Sequence, residues 1–280
     1  MTVGSGERIS ADYTVIATGS TYPFPAKFEA VDSDAVRARL HETRAALADA
    51  TRVLLLGAGP VGLELAGEMT AAWPDKRVTL LDRNADVLSG RFPPELRAEI
   101  RAQLAAMGVE LVLGAPLREE PPSDPGEPKS FTLSTTAGVE VAADIWFRCY
   151  GVTPVSGFLA TDLAGAREPS GQLAVTPELR LRGHDRVFAV GDVTAVPEAK
   201  MAKSAGIHAD VVAANITRLS RGGTALRTYR PAPEAISLPL GPHGGASYAP
   251  GRGLLDAAET SRLKGRSLRL DSYRRLLGLV

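Results

Sequence analysis

The first apolar run of the chain, Tyr13 to Ala17, is short and closed by Gly19, which predicts a buried strand over 13–17. Pro23 and Pro25 make 21–25 a loop. Asp32, Ser33 and Asp34 offer a helix cap, and the Ala- and Arg-rich stretch 34–49 predicts a helix. From Val53 the pattern becomes strand (53–56), glycine turn, helix (60–73, stopped by Pro74) and strand (77–81, ending at Asp82). Residues 94–107 predict an amphipathic helix between Pro94 and Gly108, followed by a strand over 109–113. Proline-rich 119–129 is a loop, and 131–135 with 140–147 predicts a hairpin around Ala137 and Gly138. Two more short strands are expected in 174–190, a helix over 199–219, and Pro/Gly-rich loops and strands over 230–253. The last twenty or so residues form a basic amphipathic stretch.

Composition narrows the function classes. The chain is 44% hydrophobic and 23% charged, enough for ordinary cores. Its 280 residues suit two compact domains or one large one. Basic and acidic residues balance at 32 each, so no net field favours nucleic acid. Cys149 is the only cysteine, which excludes an internal disulfide, a Cys-x-x-Cys redox pair and a cysteine-rich zinc site. Its place at the end of a strand makes it a packing residue. His41, His184, His208 and His243 show no ligand spacing, so no metal is expected, and His208 reads as an ordinary helix-face residue. No apolar run approaches the ~20 residues of a membrane span, and the polar start has no signal-peptide pattern, so the chain reads as cytoplasmic. The C-terminal cations Arg262, Lys264, Arg266, Arg269, Arg274 and Arg275 lie among leucines. They fit peripheral contact with a membrane surface, or a solvated segment packed on the protein, the reading preferred from sequence alone.

The strongest chemical signal is Gly57-x-Gly59-x-x-Gly62, which leaves a strand and opens a helix. The first glycine allows the tight turn. The second lets the backbone approach a pyrophosphate, and the third lets the helix pack on the strand. Pro60 and Val61 begin that helix, whose N-terminus favours phosphate. Asp82, twenty positions after Gly62, can accept adenosine ribose hydroxyls and repel a 2′-phosphate, which favours NADH. Arg83 beside it could grip that phosphate, so NADPH stays open. Glu64 and Glu68 share a helix face. For Glu64, two residues past the third glycine, a solvated or ion-paired carboxylate and a group facing the nicotinamide are both open.

These residues fall in an order that resembles the two-dinucleotide-domain flavoproteins, a family that includes pyridine nucleotide-disulfide reductases, type II NADH dehydrogenases and apoptosis-inducing-factor-like proteins. The order is Ala17-Thr18-Gly19, then Gly57 to Glu64, then Gly151-x-x-Pro154, then Gly191-Asp192. Lys200, Met201 and Ala202 ahead of Gly206 and His208, and the turn from Leu240 to Gly245, point to its apoptosis-inducing-factor 2, or ferroptosis-suppressor, type.

The resemblance implies an α/β fold of two Rossmann-like dinucleotide-binding domains, the NAD domain inserted in the FAD domain, with a small C-terminal α+β segment. The expected boundaries are 1–50 for FAD-domain remnant and linker, 51–155 for NAD(P)H binding, 156–225 for the return to the FAD domain, and 226–280 for the C-terminal segment. It implies that Ala17, Thr18, Gly19, Gly191 and Asp192 meet FAD, and that Lys200, Met201 and Ala202 face its ring; Gly191-Asp192 also reads as a strand end with a capping Asp. Gly151 belongs to the family's exit strand. The family's first roughly one hundred residues, with the flavin-side Gly-x-Gly-x-x-Gly, have no counterpart, so the FAD half is expected to be incomplete. The implied activity is transfer of hydride from NADH to FAD and of electrons onward to a quinone-like acceptor, with no catalytic side-chain acid or base. The alternatives are a non-catalytic NAD(H)-binding remnant and a subunit completed by a partner chain. Oligomeric state stays open.

Overall fold

The structure, a computed structural model, describes residue 2 and residues 4–28 and 32–280. In chain order it begins with β1 (Thr14–Ile16), β2 (Ser20–Thr21), α1 (Ser33–Asp49), β3 (Arg52–Leu56), α2 (Pro60–Ala72), β4 (Arg77–Asp82), α3 (Pro94–Ala106) and β5 (Glu110–Leu113). Then come β6 (Phe131–Ser134), β7 (Glu140–Ala143), β8 (Ile145–Arg148), β9 (Thr153–Pro154), α4 (Thr161–Ala164), β10 (Val187–Ala189) and α5 (Ala202–Ser220). The chain closes with β11 (Ile236–Leu240), β12 (Gly244–Ala249), β13 (Gly253–Leu255), α6 (Ala257–Thr260) and α7 (Leu270–Leu276).

Two units result: residues 1–21 with 152–233, and residues 22–151 with 234–280. The second unit is built on a parallel sheet in the order β5-β4-β3-β8. β3 lies inside that order, so it must be apolar on both faces, and its run Val53, Leu54, Leu55, Leu56 is buried throughout. Val53 and Leu55 point into one cluster with Leu63 and Ala66 of α2, Leu96, Ile100 and Leu104 of α3, and Leu238 and Leu240 of β11. Leu54 and Leu56 point into the other, with Trp146 and the β6–β7 hairpin residues Val141 and Ala143.

The strand expected over 140–147 is two strands. β7 pairs antiparallel with β6, while β8 pairs parallel with β3. Asp144 makes the break. Its carboxylate accepts from Arg52 N–H at 2.9 Å and from the Arg52 guanidinium at 2.5 Å, and its own N–H donates to Arg52 C=O. Those bonds to Arg52 hold its carboxyl well below the usual carboxylate range. The free edge of β8 is covered by the 119–129 loop: Gly126 N–H donates to Trp146 C=O, and Trp146 Nε1 donates to Ser123 C=O.

The domain boundaries also differ from expectation. Helix α1, capped by Asp32 onto Ala35 N–H, belongs with the second unit and not with 1–21, because Leu47 and Ala50 are buried in that unit's core. The segment 234–280 is no separate body: the β11-β12-β13 meander lends Leu238, Leu240 and Ala246 to the same core. Residues 226–233 stay with the first unit, where Tyr229 is buried and Asn215 bonds both N–H and C=O of Arg227.

In the first unit β1 pairs parallel with β10, and β2 pairs antiparallel with β9. Helix α5 closes a core of Leu179, Phe188, Val190, Val212 and Tyr229. The stretch 174–190 holds one strand and isolated bridges, Val175 to Leu181 and Arg180 to Phe188, where two strands were expected. Positive φ at Leu179 (63°) and Gly183 (85°) turns the chain too often for a ladder to extend.

Helix α2 meets β11 at Gly67. A Cβ there would lie 2.4 Å from Leu240 Cα and 2.6 Å from Gly241 N, both backbone atoms that cannot swing aside. Alanine in a helix interior ordinarily gains about 1 kcal/mol over glycine. Here Gly67→Ala is expected to destabilise the protein by about 1–3 kcal/mol. Chemical denaturation read by tryptophan fluorescence checks it; a rise in the midpoint would remove the close contact.

Candidate functional site

The fingerprint turn leaves the carboxyl end of β3. The sheet runs from β3 to β4 to β5 on one side and returns on the other side of β3 as β8, so the turn sits at the point where strand order reverses, the usual ligand crevice of an open α/β sheet. Gly57 takes φ +115°, and a Cβ there would press on the Cys149 backbone at 3.2 Å. Gly62 has no room at all: its Cβ would lie 1.9 Å from Gly57 C=O. Gly59 is the opposite case, with open space over its Cα. Tight packing at the first and third glycines and clearance at the second is the cradle a pyrophosphate needs. Pro60 starts α2, and first-turn N–H groups of a helix have no partner within it, so those of Val61 and Gly62 suit phosphate oxygens.

Asp82 ends β4 beside this turn. One of its oxygens accepts from Ala58 N–H at 2.7 Å, and the other from the backbone and side-chain N–H groups of Asn84, each at 2.7 Å. A carboxylate offers about four acceptor positions, so roughly one is left for a ribose hydroxyl. Asp82 therefore holds the turn in shape and keeps an acceptor position open. Arg83 is exposed next to it. Cys149 lies under the turn, buried, with its thiol pushed up to about 12 by burial, so it is a packing group and not a thiolate. Gly151 takes φ +91°, which favours glycine where the strand exits.

In the other unit the structure brings together the two flanking motifs. Pairing of β1 with β10 sets Ala17, Thr18 and Gly19 alongside Gly191 and Asp192. Ser20 Oγ donates to Asp192 Oδ2 at 2.7 Å, and Thr18 Oγ1 donates to Val155 C=O. Gly191 has φ +74°, and Gly19 has φ +62°. Lys200 Nζ donates to the carbonyls of Thr194 and Val196, closing the loop ahead of α5. Met201 is the N-cap of α5 with no side-chain capping bond, so the helix opens with free N–H groups next to Ala202.

Residues 1–209 match the pyridine nucleotide-disulphide oxidoreductase family. The chain belongs to that family. Relatives include ferroptosis suppressor protein 1 of Homo sapiens, 31% identical over 88% of this chain and 66% of the relative. The FAD-dependent oxidoreductase FVFD30 of Flammulina velutipes is 29% identical over 87% of this chain and 74% of its own length. The solved structure of a NAD-dependent persulfide reductase from A. fulgidus shares the fold at a TM-score of 0.64 and 21% identity, over 84% of this chain and 44% of that one. The chain thus spans about two thirds of the length of such relatives and about half of the solved structures. The family's cofactors are FAD and NAD(P)H. The residues fit a pyridine dinucleotide at Gly57–Gly62. They fit part of a flavin site at Gly191, Asp192 and the start of α5.

Two arrangements in the structure were not read from the sequence. Lys264 Nζ lies 2.5 Å from Glu64 Oε1, joining the C-terminal segment to the first turns of α2 across 200 residues. Burial raises the Glu64 pKa, and the Lys264 bond only partly offsets it. Glu64 is thus an ion-paired carboxylate in this structure. Second, His208 is not an ordinary helix-face residue. It is buried, and its Nδ1 accepts the N–H of Gly191 at 3.0 Å. Its Nε2 lies 2.9 Å from Glu198 Oε1, bent away from linear hydrogen-bond geometry, and the other Glu198 oxygen accepts from Tyr229 O–H at 2.5 Å. The Tyr229 ring stands edge-on to the imidazole at 4.2 Å. No spacing rule joins positions 191, 198, 208 and 229; a histidine 17 residues after a strand-end glycine gave no signal.

Only neutral His208 can accept from Gly191, since a protonated imidazole has no acceptor. Burial lowers its pKa, against the opposing pull of Glu198. A histidine with a lowered folded pKa takes up its proton more readily unfolded. Stability from this group is therefore complete above the ordinary value, about 6.5, and is lost as pH falls toward the lowered one. His208→Phe is expected to flatten that acid limb between about pH 7 and 5 and to cost about 1–3 kcal/mol at neutral pH, because it leaves the Gly191 N–H unpaired. Melting temperatures of both proteins across that range check it; identical slopes would refute the coupling.

Proposed function

We propose that the protein is a FAD-dependent NAD(P)H oxidoreductase that prefers NADH and passes electrons to a quinone-like small molecule. The observation that carries the reading is the cradle of the NAD unit: clearance over Gly59, the N-terminus of α2, and the Asp82 carboxylate, all at the carboxyl ends of β3 and β4. When bound, the two cofactors supply the redox chemistry, hydride from the nicotinamide and electron delivery from the flavin. The chain's task is to hold and orient them.

In this reading the N–H groups of Val61 and Gly62 hold the pyrophosphate, and Asp82 takes a ribose hydroxyl and repels a 2′-phosphate. Glu64, restrained by Lys264, flanks the nicotinamide end. In the other unit Asp192, anchored by Ser20, meets the ribityl and pyrophosphate region, with Ala17, Thr18, Gly19 and Gly191 lining it. The opening N–H groups of α5 at Met201 and Ala202 face the ring, and Lys200 fixes the loop that delivers them. Cys149 is buried and its thiol is pushed up by burial, so it is not poised as an electron relay. The quinone assignment rests on the likeness to the ferroptosis-suppressor type.

A second reading, dinucleotide binding without flavin turnover or with a partner chain completing the flavin side, draws on the uneven build of the two units. One holds a four-stranded parallel sheet, the other a parallel pair with Val15 of β1 42% exposed. The deciding experiment is the visible spectrum of the purified protein with added FAD, before and after NADH under anaerobic conditions. A retained flavin band that bleaches supports the oxidoreductase; NADH binding with no flavin band supports the second reading.

Asp82→Asn keeps an acceptor for Ala58 N–H but removes the charge beside Arg83. It is expected to shift the NADPH:NADH affinity ratio toward NADPH by about tenfold, about 1.4 kcal/mol. Titration of cofactor fluorescence checks it, and an unchanged ratio would remove Asp82 from cofactor selection.

A further inference from the structure

The carboxyl end of β8 carries an aromatic ring that the cofactor cradle leaves unused. Successive side chains of a strand point to opposite faces, so Trp146, Arg148 and Tyr150 follow one another on one side while Phe147 and Cys149 face the core under α2. Arg148 Cζ lies 5.6 Å from the centroid of the Trp146 ring and 5.7 Å from that of Tyr150. Its Nε is buried with no hydrogen-bond partner among the described residues, and its Nη2 donates to Glu120 at 2.9 Å. The guanidinium is thus held against both rings, an attraction between a cation and a π face. Trp146 is buried and Tyr150 is 46% exposed, so the row starts in the core and ends in an open ring backed by a fixed cation.

The place of that ring decides what it meets. In the sheet order, β4 and β8 flank β3 on opposite sides, and all three run parallel. Asp82 ends β4, the fingerprint turn leaves β3, and Tyr150 follows β8 at the same end of the sheet. Tyr150 adjoins the turn, since a Cβ on Gly57 would lie 3.5 Å from Tyr150 Cβ. A dinucleotide with its pyrophosphate on the turn and its adenosine ribose at Asp82 extends its other half away from β4, toward β8. Nicotinamide transfers hydride from one face of its ring, which leaves the opposite face to rest on the protein. A planar ring is best met there by another planar ring, offset and parallel. Tyr150 is already braced by Arg148, so little freedom is lost when a ligand stacks on it.

We propose that Tyr150 is the stacking surface for the nicotinamide ring of the bound dinucleotide, with Arg148 bracing it. The inference rests on the NAD(P)H reading of the fingerprint turn and is independent of the electron acceptor. It divides the cofactor between two sets of residues. Asp82 and the N-terminus of α2 grip the adenosine diphosphate half, which ADP-ribose also possesses. Tyr150 meets the ring that ADP-ribose lacks, so it selects for the reactive half of the molecule.

Calorimetric titration of the 280-residue protein with NADH and, separately, with ADP-ribose tests it. Tyr150→Ala is expected to weaken NADH about tenfold and to leave ADP-ribose unchanged, which also shows that the variant folds. Tyr150→Phe keeps the ring and is expected to bind both ligands as the parent does. Equal loss of the two ligands in Tyr150→Ala overturns the inference, since the residue would then only shape the turn beside Gly57. So does an alanine variant that binds NADH undiminished. A phenylalanine variant as weak as alanine overturns it as well, because the hydroxyl and not the ring would carry the contact. A parent protein that binds neither ligand removes the NAD(P)H reading itself, and this inference with it; a parent that binds both leaves that reading standing whatever Tyr150 does.

Discussion

Helix α2 runs between two backbone surfaces that leave no space for a side chain. At its first turn Gly62 rests on the Gly57 carbonyl, and five residues later Gly67 rests on Leu240. Interiors packed to crystal density do not yield to a methyl group whose neighbours are main chain. The first contact sets the helix N-terminus over the open side of Gly59. The second binds the C-terminal meander to the same helix. One steric constraint thus orients the opening of the helix and decides that 234–280 belongs to the second unit. It also brings Lys264 within reach of Glu64, which no local rule in either segment would do.

Around that contact the polar groups divide by task. Asp82 and Asp144 both stand beside the sheet and spend most of their acceptor capacity on the protein itself. Asp144 turns the chain from hairpin to sheet by binding Arg52, and Asp82 ties the fingerprint turn to the next strand. Each is an organiser first. That ordering matters for the role proposed for Asp82, because a carboxylate already fixed by three N–H donors would meet a hydroxyl without first losing its own freedom. His208 does the equivalent work in the other unit, where its neutral nitrogen accepts the N–H of a glycine held at positive φ.

What could be read in the sequence was local. The glycine spacing, the helix capped by Asp32, the strand at 53–56 and the helix that opens at Pro60 all follow from neighbours within a few positions, and the structure places them within a residue or two. The alternation over 140–147 was read as one strand because a period of two survives a corner. The break depends on Arg52, some ninety residues away. The membership of α1 and the meander in the second unit was illegible for a similar reason: an amphipathic pattern says that a face is buried, not against what. The Glu198, His208 and Tyr229 cluster and the Lys264 to Glu64 pair join positions with no shared periodicity.

The Lys264 to Glu64 pair has a use other than stability. Burial raises the Glu64 pKa although Lys264 sits at hydrogen-bond distance, so the cost of desolvation exceeds the attraction of the partner. An ion pair on those terms is weak support for a fold. Its effect is positional. It fixes a carboxylate two residues past the last fingerprint glycine, and it does so from a segment already pinned by Ser261 and Gly265 against Pro242. Six positions separate Lys264 from the first residue of α7. The segment that holds Glu64 is therefore a single short stretch of chain from α7, where Leu270, Tyr273 and Leu276 are exposed.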